Sequence, residues 1–228
     1  MLIIRGANVS DAGRIAEIYV HAMSINPFLI FEFPTPESRK VLIHSLTERT
    51  VDELETNPDS VLVGQDSNGN GEIVGFLKWT LYECSDVGKS GSDPAPAVSE
   101  FHAKYLSETA AAREKHMRDH SFIRQCDVNL LTVVSVGLDL NYLAISPEAQ
   151  NQGVARSLIG RITDIASTRQ IPVYLEATMN AVKLYEKFGW KEIESIHILI
   201  PEKKGEPATK DYEEICMVWH PLGAQEIN

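Results

Sequence analysis

The chain has 228 residues, 43% of them hydrophobic, a formal charge of −11 and a pI near 5.1. That apolar content supports a buried core and excludes global disorder. The acidic balance excludes non-specific nucleic-acid binding, which needs a basic surface.

In chain order, Leu2, Ile3 and Ile4 form a first strand. Ser10 or Asp11 caps a helix running to about Met23, with Ile15, Ile18, Tyr19 and Ala22 at helical spacing. Ser24 to Pro36 is rich in aromatics and prolines and reads as a loop or broken helix. Its Phe28, Phe31 and Phe33 are either core packing or one wall of a pocket. A helix follows from Glu37 to Leu54, with Val41, Leu42, Leu46 and Val51 as apolar positions. SVLVGQ and EIVGFLKWTLYE are two strands joined by the turn DSNGNG.

Ser85 to Ser99 is small, polar and proline-bearing, a flexible loop by composition. A helix from Glu100 to Asp119 carries Phe101, Tyr105 and Leu106 on one side. Cys126 to Val136 is apolar and β-branched, so strand and buried helix stay open. The block from about 85 to 136 reads as an insertion, acting as a lid, a surface cap or a dimer contact.

The next stretch, LDLNYLAISPEAQNQGVA, organises the remainder. It is a strand that breaks at Pro147 and passes through a short loop to Gly153, where a helix opens and runs to about Thr168. The first turn of a helix has N–H groups without intrahelical partners, and its dipole favours negative charge. Small residues at Gly153 and Ala155 let an anion approach the main chain, so the loop suits a coenzyme's phosphates. Pro172 to Glu176 is a strand, and Asn180 to Phe188 a helix that stops at Gly189. Trp190 to Ile200 and Tyr212 to Trp219 close the order as strands. The pattern is α/β or α+β: one domain over residues 1–228, with a mixed sheet.

Three cysteines, Cys84, Cys126 and Cys216, share no C-x-x-C spacing, which points to a reducing compartment and no structural zinc. His116 and His120 stand four apart on a helix, but Met117 replaces the glutamate of H-E-x-x-H. The alternating charges of AREKHMRD suit a solvated helix face, and no metal is expected. The N-terminus lacks the pattern of a signal peptide, and no apolar run reaches the ~18–20 residues of a membrane span. A cytoplasmic protein without membrane partners is the expectation.

LNYLAISPEAQNQGVARSL resembles motif A of the GNAT superfamily of acyl-CoA-dependent N-acyltransferases, with Gln150, Gly153 and Ala155 in its Q/R-x-x-G-x-G/A positions. PVYLEATMNAVKLYEKFGWKEI resembles motif B through Leu184, Tyr185, Gly189 and Trp190. EIVGFLKW also looks like the family's second hairpin. Two positions depart from the pattern: Ala155 replaces a glycine, and Thr178 stands where many members carry an asparagine that touches the coenzyme, with Asn180 out of register.

The resemblance implies the GNAT fold, a mixed, mostly antiparallel central sheet flanked by helices with a helical insertion before the motif A strand, and acetyl-CoA as co-substrate. Backbone groups of Gln150, Asn151, Gln152, Gly153, Val154, Ala155 and Arg156 would grip the pyrophosphate. Main-chain groups of Leu143, Ala144 and Ile145 would pair with the pantetheine arm, and one N–H could polarise the thioester carbonyl. Tyr185 would protonate the departing thiolate. Asp139, on the motif A strand, and Glu176, at the end of the next, compete as the base that deprotonates the acceptor; Glu32 and Glu83 lie near pocket loops. Phe28, Phe31, Phe33, Trp79 and Tyr82, with the insertion, would form the acceptor pocket.

The expected activity is acetyl transfer to a primary amine of a small molecule, by direct attack in a ternary complex. A peptide or protein acceptor and a non-catalytic acyl-CoA-binding module are the alternatives. Dimers are common in the superfamily, which suggests a homodimer by association.

Overall fold

Two local signals shape the N-terminal helices. Asn26 accepts from the amides of Phe28 and Leu29, so Pro27, with its φ preset, starts a short helix inside the segment expected to be a loop or broken helix. Thr35 and Ser38 cap each other's backbone, which lets the next helix begin at Pro36 and run to Thr56.

The computed structural model describes residues 1–67, 71–83, 99–118, 123–125, 133–202 and 205–222. The chain divides into two units, Met1–Trp79 with Asn141–Ile162, and Thr80–Leu140 with Thr163–Asn228.

The first unit holds β1 (Leu2–Gly6), α1 (Ala12–Ala22), α2 (Pro27–Glu32), α3 (Pro36–Thr56), β2 (Val61–Asp66) and the first part of β3 (Ile73–Glu83). β1, β2 and β3 are antiparallel, with a bulge at Gly64/Gln65. The last residues of β5 (Val133–Ile145) lie next to β3 in strand order, and the Ser146 amide donates to the Val74 carbonyl at 2.8 Å. One core cluster joins Ile15 and Ile18 of α1 to Val61, Val63, Phe76 and Ala144 of the strands. A second joins Val20, Leu29 and Leu42, one from each of the three helices. Lys78 of β3 reaches Thr50 and Glu53 of α3 at 2.9 and 2.7 Å, a polar tie inside this packing.

The second unit holds α4 (Glu100–Arg118), β4 (Ile123–Gln125), the first part of β5, β6 (Val173–Thr178), α6 (Met179–Glu186), β7 (Lys191–Pro201) and β8 (Ala208–Trp219); α5 (Val154–Arg169) begins in the first unit and ends here. β5 runs parallel to β6 through Leu138↔Val173 and Asp139↔Tyr174. β6 and β7 both pair antiparallel with β8. α6 stops where Gly189 takes a φ of +86°, and the Trp190 amide returns to the Tyr185 carbonyl at 3.2 Å.

The fold is mixed α/β with mostly antiparallel strands, as expected. Val133–Val136 proves to be the start of β5. The expected flexible loop falls almost wholly outside the described residues, as do Cys84, Cys126 and His120. Among the described residues no helix is long and apolar enough to cross a membrane.

Candidate active site

The loop from Pro147 to Gly153 is built from opposing constraints. Pro147 ends β5 and opens a single 3₁₀ turn to Ala149. Asn151 and Gly153 both take positive φ, +61° and +85°, which turns the chain twice before α5 begins. Asparagine and glycine are the residues that enter this region most readily. Gln150 donates to the Ile145 carbonyl at 3.3 Å and Gln152 to that of Glu148 at 2.7 Å. Both amide side chains therefore bind their own loop and leave its outer surface to main chain. A Cβ built on Gly153 would meet nothing within 4 Å, so the space above it is open.

α5 then supplies a full helix behind that surface. Its first such bond runs from the Ser157 amide to the Gly153 carbonyl at 3.1 Å. The amides of its first turn are the groups a helix leaves for a ligand. Val154 is buried and pins the turn, whereas Gln150, Asn151, Gln152, Gly153 and Arg156 are exposed and Ala155 is half-buried. Ser146 donates to the Glu148 carboxylate, and this bond holds the carboxyl below its usual range. Open space at Gly153 and exposed main chain before α5 are features that a bound anion would need.

The strand leading into this loop changes character along its length. Asp139 and Leu140 are buried, Asn141 and Leu143 half-buried, and Tyr142 is 40% exposed. Tyr142 meets Tyr19 of α1 edge to face at 5.4 Å. At Gly75 of β3 a Cβ would come within 2.6 Å of Ile145 and 3.2 Å of the Ala144 carbonyl. Glycine is required there because β3 passes so close to Ala144 and Ile145.

Of the residues expected to line an acceptor pocket, Phe28 and Phe31 lie half-buried on α2. Phe33 packs against the cluster of Val20, Leu29 and Leu42. Trp79 is buried on β3 at 4% exposure, and Tyr82 further along that strand is half-buried. The side chain of Glu83 lies outside the described residues.

In the second unit, Tyr185 sits on α6, 5% exposed, with its ring 5.5 Å from that of Trp190. Burial pushes its phenol above the ordinary value, so it stays protonated across the neutral range. Asp139 and Glu176 both meet Arg113 of α4. Arg113 Nε lies 2.8 Å from Asp139, and its terminal nitrogen donates to both Glu176 oxygens at 3.0 and 3.1 Å. Burial alone would lower the guanidinium's pKa, but the two carboxylates outweigh it and raise it.

A buried polar layer extends from this ion pair across β6 and β8. Register places Asp139 beside Tyr174, Glu176 beside Cys216 and Thr178 beside Glu214. Strand alternation puts Tyr174, Glu176, Tyr212, Glu214 and Cys216 on one face. α4 covers that face with Tyr105, Arg113 and His116. Tyr105 and Tyr212 donate to the two oxygens of Glu214 at 2.8 and 2.5 Å. His116 bonds Glu194 at 2.6 Å and stacks on Tyr174, so this part of AREKHMRD is an interface and not the solvated face expected of it. Cys216 is buried, and burial pushes its thiol up to about 11, which makes it a poor nucleophile. The available signal was the spacing 105, 109, 112, 113, 116, a helical stripe that mixes aromatic, small and charged residues.

Residues 80–198 match the family model described as the acetyltransferase (GNAT) domain. The chain is 25% identical over 210 residues to an uncharacterized N-acetyltransferase of Schizosaccharomyces pombe, covering 89% of this chain and 86% of that one. Among solved structures, a Drosophila melanogaster polyamine N-acetyltransferase aligns with a TM-score of 0.63 at 12% identity, over 96% of this chain and 100% of the other. The structure titled histone acetyltransferase HPA2 and related acetyltransferase from Corynebacterium glutamicum aligns at 0.57 and 20% identity, over 96% of each chain. Chaetomium thermophilum Naa20 with a bisubstrate analogue aligns at 0.55 and 13% identity, over 96% and 86%. These structural likenesses carry the fold, and the family model, spanning more than half of the chain, carries the membership: the protein is an N-acetyltransferase of the GNAT family.

Proposed function

We propose that the protein transfers an acetyl group from acetyl-CoA to a primary amine of a small molecule, by direct attack within a ternary complex. The loop before α5 carries the reading. Its double positive-φ turn, open glycine and self-bonded glutamines suit a pyrophosphate better than an ordinary strand–helix connection needs. The backbone of Gln150 to Arg156 holds the phosphates in this reading, and Leu143, Ala144 and Ile145 line the pantetheine arm. Acetyl-CoA supplies the activated thioester.

The side chains divide the proton chemistry. Tyr185, kept protonated by burial, donates to the leaving sulfur. A thiol's ordinary pKa lies below that of a phenol, so Tyr185 must recover a proton as it gives one. The attacking nitrogen, which sheds a proton on forming the amide, supplies it. Asp139 and Glu176 are less suited to be the base than their strand positions suggested. Each would have to accept the proton inside an ion pair with Arg113. We assign them the anchoring of Arg113.

The chain's charge of −11 suits a cationic acceptor, and the polyamine N-acetyltransferase among the structural neighbours is named for such a substrate. The histone acetyltransferase named among the structural neighbours keeps a protein or peptide acceptor as the second reading. Release of free CoA from acetyl-CoA, measured across di- and polyamines, arylalkylamines and peptides, separates them. Turnover with small amines and none with peptides supports the proposal. Tyr185→Phe should lower kcat on the accepted amine while the acetyl-CoA-induced rise in Tm persists. Tight acetyl-CoA binding without turnover on any amine would replace enzyme with binding module.

A further inference from the structure

Glu214 is buried at 5% exposure, and no step described so far uses it. Its carboxylate accepts from Tyr105 of α4 at 2.8 Å and from Tyr212 of β8 at 2.5 Å. Across the ladder it faces Thr178, the residue immediately before α6, the helix of Tyr185. On its other side β7 offers Ile196, an apolar neighbour. Asp139 and Glu176 share the one guanidinium of Arg113. Among the described residues no cation bonds to Glu214.

We propose that Glu214 is the terminal proton acceptor of the acetyl transfer, reached from the acceptor ammonium through the hydroxyls of Tyr105 and Tyr212. This rests on the acetyl-transfer reading above. A phenol can accept a proton on its oxygen lone pair while passing its own to Glu214, and it ends unchanged. The ammonium thus becomes a neutral amine with a free electron pair. That pair forms the N–C bond as the C–S bond breaks, and the sulfur takes a proton from Tyr185. Tyr185 recovers it from the nitrogen. One proton has then moved to Glu214, which returns it to solvent before the next turnover.

The surroundings tune the carboxyl for this task. Burial raises its pKa, the two phenols lower it, and the charge of Glu176 raises it again, to a balance of about 7. Nearby, Tyr174 and Cys216 are both held neutral by burial, and Arg113 is committed to its two carboxylates. A base is most effective when its pKa lies near the working pH.

The test is the pH dependence of kcat/KM between about pH 5.5 and 9, on an amine that the wild-type enzyme acetylates. The wild type should show a rising limb near pH 7. Glu214→Gln should lower the plateau by about 10²–10⁴-fold and remove the limb, while acetyl-CoA still raises Tm. Glu214→Asp should restore a limb. A Glu214→Gln enzyme within about twofold of wild type, with the limb in place, overturns the proposal. If Glu214→Gln does not fold, Tyr105→Phe/Tyr212→Phe removes both donors and keeps the carboxyl. Its limb should move to higher pH and its rate should fall, and an unmoved limb overturns the proposal. A wild type that binds acetyl-CoA but acetylates nothing overturns the underlying reading, and this proposal with it.

Discussion

Arg113 Nε lies 2.8 Å from Asp139 Oδ2, joining α4 to the strand that leads into the Pro147–Gly153 loop. Asp139 has no exposed surface, and the Arg113 side chain is 17% exposed. Removing the guanidinium takes the shared cation away from two buried carboxylates. Arg113→Met should therefore cost about 3–5 kcal/mol of stability, read from the urea midpoint. The triple change Arg113→Met/Asp139→Asn/Glu176→Gln should recover most of that loss, because it removes the charges together. A single variant as stable as wild type would show that α4 does not depend on this pair.

Gly75 and Gly64 offer a paired test of close packing behind the loop. A Cβ on Gly75 falls 2.6 Å from Ile145, 3.0 Å from Val154 and 3.2 Å from the Ala144 carbonyl, whereas one on Gly64 meets only Val154 under 3.4 Å, at 3.1 Å. Gly75→Ala should cost about 1–3 kcal/mol and Gly64→Ala less. Ile145 and Val154 flank the loop, so Gly75→Ala should also weaken acetyl-CoA binding in calorimetry. Equal effects of the two substitutions would contradict the geometry.

Some of this was legible in the chain because local chemistry dictates it. Pro147 must end a strand, and Gly153 and Gly189 stand where the backbone turns through positive φ. α2 stayed open between loop and broken helix because its start depends on Asn26 capping, a contact that a proline-rich segment does not advertise. The polar layer was hidden for a different reason. Periodicity shows which residues share a helix face but not what covers that face, and Arg113 beside Glu114 and Lys115 reads like solvent-facing charge. On β8 the residues Glu214 to Val218 are all buried, so alternation does not distinguish a working face from a packed one. The partners come from β5, β6 and α4, distant in sequence and joined only by the fold.

Gly153 separates conformation from space. Its φ is +85°, but a Cβ there would touch nothing within 4 Å. Gly153→Ala should therefore cost about 1–2 kcal/mol from backbone strain alone, and Gly153→Asn less, since asparagine tolerates the left-handed region. Both add a side chain to the open surface proposed for the pyrophosphate. Acetyl-CoA affinity should fall for both, and more for the larger asparagine, opposite to the order in stability. Parallel orders in the two measurements would place the phosphates elsewhere.

Glu214 makes a prediction about stability that does not require turnover. Its carboxyl has a pKa of about 7 in the folded protein against an ordinary 4.5. Between those values the folded state keeps a proton that the unfolded state has lost. Stability should therefore decline as pH rises from about 4.5 towards 7, and this group adds no further change above that window. Above the window the buried carboxylate costs on the order of 3 kcal/mol, the equivalent of its pKa displacement. Glu214→Gln carries no such charge and keeps an amide oxygen for the two phenols. Its Tm relative to wild type should rise from pH 5 and level off above about pH 7. The carboxyl of Glu194 shifts the other way, lowered by Lys115 and His116, so its contribution is lost only as pH falls through the carboxylate range. The two effects are thus separated along the pH axis. A Tm difference that stays constant from pH 5 to pH 8 would mean that Glu214 titrates as an ordinary carboxylate, despite its burial beneath Tyr105.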